Sequence, residues 1–275
     1  MASTHECLAN VWTSVTGSIK INQLTHGRIV RHKISSALIV EDDVDFDITL
    51  KKQVTEFARG SRAIQGTTTP PKTSPYGDDW QMLWLGYCGL KTVEEQRGLP
   101  LRFYVIPDDP TVLPAQYKQE FFAPFIADYP QMNPHRLIFN SMDQVCSVAF
   151  AITYEGARKA LAAFNMRSID EPMDLSYRNL CNGLFDMPFR CISPYPALIN
   201  SWRQAGPIWR DSDIVESDVM EWHEAHSVGI VYSTMLNAVE LVNGSKTVRA
   251  QWDDVVPVEI EPVTFEIPRG VLWMP

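Results

Sequence analysis

The 275-residue chain has little of several things that would have placed it quickly. It has only five cysteines, Cys7, Cys88, Cys146, Cys181 and Cys191, widely scattered and with no C-x-x-C pair. That spacing excludes a disulfide framework and a zinc ribbon, and leaves room for one disulfide. No stretch approaches 18 consecutive apolar residues, which excludes a membrane-spanning helix, and His5, Glu6 and Cys7 stand where a signal peptide needs an apolar run. Basic residues are in the minority: 24 Lys and Arg face 33 Asp and Glu, a formal net charge of −9. With no Lys/Arg cluster, nucleic acid and anionic membrane are poor partners, although an anion held through a metal remains compatible.

What is present is a globular composition, 45% hydrophobic and 11% aromatic, long enough for one or two domains. Ser36 to Val40 (SALIV) reads as a buried strand that runs abruptly into Glu41-Asp42-Asp43-Val44-Asp45-Phe46-Asp47. Val54, Phe57 and Ala58 then fall at helical spacing between Thr49 and Ala63. Gly66 to Asp79, rich in Thr, Pro and Gly, reads as a surface loop. Met82 to Gly86 (MLWLG) and Leu101 to Ile106 (LRFYVI) read as further strands, and the five prolines of Pro107 to Met132 argue against any long element there. Val145 to Thr153 (VCSVAFAIT) reads as a strand, with Thr153 capping a helix that carries Ala157, Ala160, Leu161 and Phe164. Alternation of strand and helix predicts an α/β fold with a mainly parallel sheet. The pattern weakens beyond Val215, and the four prolines from Val255 to Pro275 predict an irregular tail.

Five of the seven residues from Glu41 to Asp47 are carboxylates. On an extended backbone Glu41, Asp43 and Asp45 share one face, and a divalent cation relieves their repulsion. At the carboxyl end of a strand such a D-x-D can seat Mg²⁺ or Mn²⁺ against a diphosphate. The competing reading makes Asp45 or Asp47 a cap for the following helix. Trp80, Trp84 and Tyr87 are of the type that stacks on a sugar face, although aromatics inside a strand more often pack, and Trp84, inside MLWLG, reads as packing. Gly86 admits a ligand or a neighbouring backbone at close range. His223 and His226 (HEAH) lack the spacing of a zinc helix, and Cys146 reads as a small core residue rather than a nucleophile paired with His135.

Six segments in order, SSALIVEDDVDFD (35–47), DDWQMLWLGYCG (78–89), RFYVIPDDPTV (102–112), VCSVAFAITYEGARKAL (145–161), EPMDLSY (171–177) and AGPIWRDSDI (205–214), together resemble glycosyltransferase family 25, most closely its fungal branch. The resemblance covers roughly residues 30–215 and implies a GT-A-like layered fold over 1–215 with a C-terminal extension over 216–275. It implies Asp43 and Asp45 as metal residues, Glu41 and Asp42 as supporting groups beside the donor, and Mn²⁺ or Mg²⁺ as the ion. The donor implied is a nucleotide sugar, UDP-linked in many such enzymes, and the acceptor a glycan or protein hydroxyl. Asp174 matches as the base that takes the acceptor proton, against a plainer role as a helix cap or a partner of Arg178.

Two departures from the family pattern stand out. Nothing in Met1 to Lys33 resembles the strand and basic turn V-x-N-L-x-R-R-x-R that opens the family's nucleotide pocket, and His5 to Trp12 is only a faint echo. Where fungal relatives place His-His-Arg-Pro, this chain has Ser201, Trp202, Arg203 and Gln204, so that Arg203 alone is left to meet a phosphate. Both point to an N-terminally truncated, divergent or inactive member. Relatives that act in the secretory pathway carry leading segments that this sequence does not show.

Overall fold

The computed structural model describes residues 23–67, 71, 73–118, 128–166, 172–211, 220–252, 259–260 and 266–274. His5, Cys7, Trp12, Glu171 and much of the tail after Val255 lie outside the described residues, so the readings placed on them are not addressed by the fold. A first helix, α1, spans 23–31. After it come β1 (Ser36–Val40), β2 (Val44–Phe46), α2 (Leu50–Gln65), β3 (Met82–Gly86), β4 (Gly89–Thr92), α3 (Val93–Arg97) and β5 (Phe103–Ile106). The next group is β6 (Arg136–Val145), β7 (Ala149–Thr153), α4 (Tyr154–Met166), α5 (Met173–Cys181), β8 (Cys191–Tyr195) and β9 (Ile199–Arg203). Short strands follow: β10 (Gly206–Pro207), β11 (Trp222–His223), β12 (His226–Ser227), β13 (Val248–Arg249), β14 (Glu259–Ile260) and β15 (Val271–Trp273).

The main sheet has eight strands in the order β1-β7-β3-β8-β6-β5-β15, with β4 joined to β6. Only β3 and β8 run parallel, and every other pairing in it is antiparallel. The α/β class therefore holds, whereas the expectation of a mainly parallel sheet is corrected. The strand and helix alternation was real, but β3 inserts between β7 and β8, so the crossover through α4 and α5 joins antiparallel strands. The sequence reading also missed β6, whose second half (Asn140, Ser141, Asp143, Gln144) has no strand-like composition.

Alternation across the sheet builds two cores. Met82 and Trp84, Phe103 and Val105, Leu137 and Phe139, and Phe150 and Ile152 face one side, where Ala157, Ala160 and Phe164 of α4 and Tyr177 and Leu180 of α5 cover them. Leu83 and Leu85, Tyr104 and Ile106, and Ile138 face the other, beneath Phe57 and Ile64 of α2. Trp84 is fully buried, as its place in an apolar run predicts. A Cβ on Gly86 would stand 2.5 Å from the Ile199 carbonyl oxygen, so the close approach foreseen there is that of neighbouring backbone. Thr153 Oγ1 accepts from the Gly156 amide at 3.0 Å, the expected cap of α4.

Two disulfides occur, Cys88–Cys146 and Cys181–Cys191, one more than the sequence reading allowed for. Cys146 is accordingly not a plain core residue. It sits between β6 and β7 with φ +61°, and its bond to Cys88 pins the connection that the single-strand reading of Val145 to Thr153 had smoothed over. At the far edge, β15 pairs with β5, so the tail ends in the sheet instead of remaining irregular throughout. Glu56 on α2 holds it there, accepting from the Gly270 amide at 2.8 Å and from the Tyr104 hydroxyl.

Candidate functional site

The acidic run is not one extended strand. The chain turns at Asp42 and Asp43 between β1 and β2, so the face expected to carry Glu41, Asp43 and Asp45 together is broken. The turn forms because the segment changes partners: Val40 pairs with Ala149 in the main sheet, while Val44 pairs with Ser201 of β9. Glu41 stays tied to the first sheet through its amide, bonded to the Val148 carbonyl at 3.0 Å, and the Trp202 amide bonds the Asp43 carbonyl at 2.6 Å.

Glu41, Asp42, Asp43, Asp174 and Arg203 converge at this turn. Desolvation, and then the charge of Asp43, raise the Glu41 carboxyl above its ordinary value. Asp174 and Asp42 push the same way, and Arg203 opposes them. Arg203 Nη1 bonds Asp43 Oδ2 at 2.7 Å. Asp174 lies in the first turn of α5 and accepts from the Cys146 amide at 2.8 Å through Oδ2. The disulfide at Cys146 thus fixes the donor that orients Asp174, a contact nothing in the sequence spacing signalled.

Asp45 is placed differently. It is 1% exposed, and both carboxylate oxygens are taken: Oδ1 accepts from the Phe46 amide at 2.7 Å and the Met235 amide at 3.2 Å, and Oδ2 from the Ser233 hydroxyl. Asp47 is equally buried and accepts from the Thr49 amide at 2.9 Å, the Thr49 hydroxyl at 2.6 Å and the Tyr232 amide at 3.1 Å. Burial pushes its carboxyl up to about 6 against these bonds. Together Asp45 and Asp47 clamp the distant 232–235 segment onto β2.

Beyond Arg203 lies a cavity of about 500 Å³ bounded by His223, Glu224, His226, Ser227, Gln251 and Trp252. It lies beside Arg203 because β12 places His226 opposite that residue. His223 Nε2 meets Asp211 Oδ1 at 2.8 Å and its Nδ1 meets the Glu224 carbonyl at 2.9 Å. Both partners accept, an arrangement that favours the doubly protonated ring, and the carbonyl and Asp211 hold its pKa above the usual value. His226 Nδ1 meets the same carbonyl at 3.0 Å. A carbonyl only accepts, which leaves Nε2 of the neutral ring as an acceptor. The Ser227 hydroxyl is buried and finds no hydrogen-bond partner among the described residues. Trp80, Trp84 and Tyr87 lie in the core and are absent from the cavity's lining.

Among the described residues no group of three or more His, Cys, Asp and Glu side chains is arranged to hold a metal ion. The turn does bring together hard oxygen donors. Carboxylate oxygens converge there, and one of them is costly to ionise without a positive charge nearby. No helix among the described residues is long and apolar enough to cross a membrane. Comparison with protein-family models, curated proteins and solved structures finds no match to this chain.

Proposed function

We propose that the chain is a glycosyltransferase with a GT-A-like layered arrangement, moving a sugar from a nucleotide-sugar donor to a hydroxyl acceptor. The observation that carries this reading is the convergence of Glu41 to Asp43 and Asp174, from distant parts of the sequence, around one arginine at the carboxyl end of β1. Of the D-x-D pair, Asp43 keeps a carboxylate oxygen outside its bond to Arg203, so Asp43 and Glu41 are the residues that would hold Mn²⁺ or Mg²⁺. A bound ion there would neutralise charge on the departing diphosphate. Arg203, relieved of Asp43 by the ion, is placed to bond a phosphate oxygen. Asp174, held through one oxygen by the Cys146 amide, keeps the other for the proton of the acceptor hydroxyl. The cavity beyond Arg203 offers an aromatic face at Trp252 and acceptors at His226 and Glu224 for that hydroxyl-bearing partner.

One feature favours a second reading, binding without transfer: Asp45 is closed off by its three hydrogen bonds. Thermal unfolding with Mn²⁺ and a series of UDP-sugars, followed by a product assay, tests both. A metal-dependent rise in Tm accompanied by release of UDP supports transfer. A rise without turnover supports binding alone, and no rise with any nucleotide sugar removes both.

A further inference from the structure

We propose that β1 is a dimerisation edge, on which a second copy of this chain docks antiparallel with its two-fold axis at Leu38. The first support is backbone geometry. β1 ends the main sheet and pairs only with β7 among the described strands. The Ser35 carbonyl accepts from the Tyr154 amide at 2.9 Å, and the Glu41 amide donates to the Val148 carbonyl at 3.0 Å. In an antiparallel ladder, bonded and non-bonded positions alternate, so the odd-numbered residues of β1 bond inward. The amides and carbonyls of Ser36, Leu38 and Val40 therefore point outward, off the edge.

The second support is the character of that edge. Exposed edge strands are ordinarily blunted by charge, proline, a bulge or short length. Ser36 to Val40 has none of these across five residues, and Leu38 and Val40 are 57% and 47% exposed. The opposite edge shows the contrast, since β15 has three residues and follows Pro268 and Arg269.

The occupant follows from charge. Exposed Arg31, His32 and Lys33 precede β1, and exposed Glu41 and Asp42 follow it. An antiparallel second copy sets the basic end of each strand against the acidic end of the other, whereas a parallel copy sets like against like. Antiparallel pairing about Leu38 also brings Ser36 opposite the second copy's Val40, so all three outward-facing positions are bonded in one register. The result is an isologous interface and one continuous sheet through two molecules.

Light scattering after gel filtration of the full chain, over a concentration series, tests this. The expected mass is twice 31.2 kDa, with dissociation promoted by salt. In Leu38→Pro the lost N–H pointed off the edge, so the fold survives and the protein runs as a monomer. Should that variant misfold, Leu38→Lys, a change at an exposed side chain, is expected to give the same monomer through repulsion at the axis. A wild-type monomer at every concentration overturns the proposal. So does a dimer that persists in a folded variant, or a monomer whose Leu38 and Val40 amides resist hydrogen exchange.

Discussion

Arg203 and Asp43 are joined by a 2.7 Å bond between Nη1 and Oδ2, linking the end of β9 to the acidic turn after β1. Asp43 is about two-fifths exposed, so the pair lends little stability. Its weight is electrostatic: among the described residues Arg203 is the one cation acting on Glu41, against Asp43, Asp174 and Asp42. Arg203→Ala is expected to change Tm by no more than a degree or two and to tighten Mn²⁺ binding severalfold, while weakening binding of UDP in the presence of Mn²⁺. Calorimetric titration of each ligand checks this. Equal weakening of both would show that Arg203 shapes the turn instead of opposing the ion.

The two aspartates of the D-x-D should separate under mutation. Asp43→Ala removes a half-exposed group and is expected to cost under about 1 kcal/mol. Asp45→Ala strips the acceptor from the buried Ser233 hydroxyl and from the Met235 amide and is expected to cost about 2–4 kcal/mol. Urea unfolding measures both, and metal titration is expected to find the ion affinity lost in Asp43→Ala.

The pH dependence of metal binding follows from Glu41. Its raised pKa keeps a proton on the carboxyl above the ordinary carboxylate range, and the ion must displace that proton. The Mn²⁺-induced rise in Tm is therefore expected to grow as pH increases above the ordinary carboxylate range. Glu41→Gln, which has no proton to lose, is expected to flatten the profile.

Asp47 contributes with the opposite sign to most carboxylates. Its folded pKa of about 6 lies above the ordinary carboxyl value, so the native state binds more protons than the unfolded state between the two. Stability from this group is full below the lower value and declines as pH rises through about 6. Asp47→Asn is expected to remove that descending limb from a plot of unfolding free energy against pH, and to lower stability at acid pH, where its amide would face the Tyr232 N–H.

Four of the five cysteines are paired, so reduction of the unfolded protein is expected to expose four further thiols, to a total of five. Mass spectrometry after alkylation counts them. Chain-entropy arguments give about 4 kcal/mol for the long loop closed by Cys88–Cys146 and about 3 kcal/mol for Cys181–Cys191. Reduction is therefore expected to lower Tm markedly, and to loosen Asp174 by freeing the Cys146 amide.

Much of this architecture was legible in the residues. MLWLG declared itself because an apolar run of that length fits a buried strand, and Thr153 declared a helix start because its hydroxyl satisfies an orphan amide. SALIV is a strand, but its expected burial is corrected, since it ends the sheet with Leu38 and Val40 exposed. Strand direction was not legible, since periodicity carries no sign and β3 entered between two strands adjacent in the chain. The acidic run marked the site's position but not its inner division. Whether an aspartate meets a cation or a buried serine depends on Ser233 and Met235, nearly two hundred residues away. The pairing of Cys88 with Cys146 was hidden for the same reason, because it depends on how β4 folds back on β6.

The docking of β15 on β5 has a consequence for how the molecule comes into being. Residues 271–273 leave the ribosome after every other strand of the main sheet, so throughout synthesis the rim at β5 stands bare, with Glu56 waiting for the Gly270 amide. Completion of the sheet is thereby deferred until residues 271–273 have been made. A nascent chain stalled a few dozen residues short would present an adhesive border to its neighbours on the same messenger.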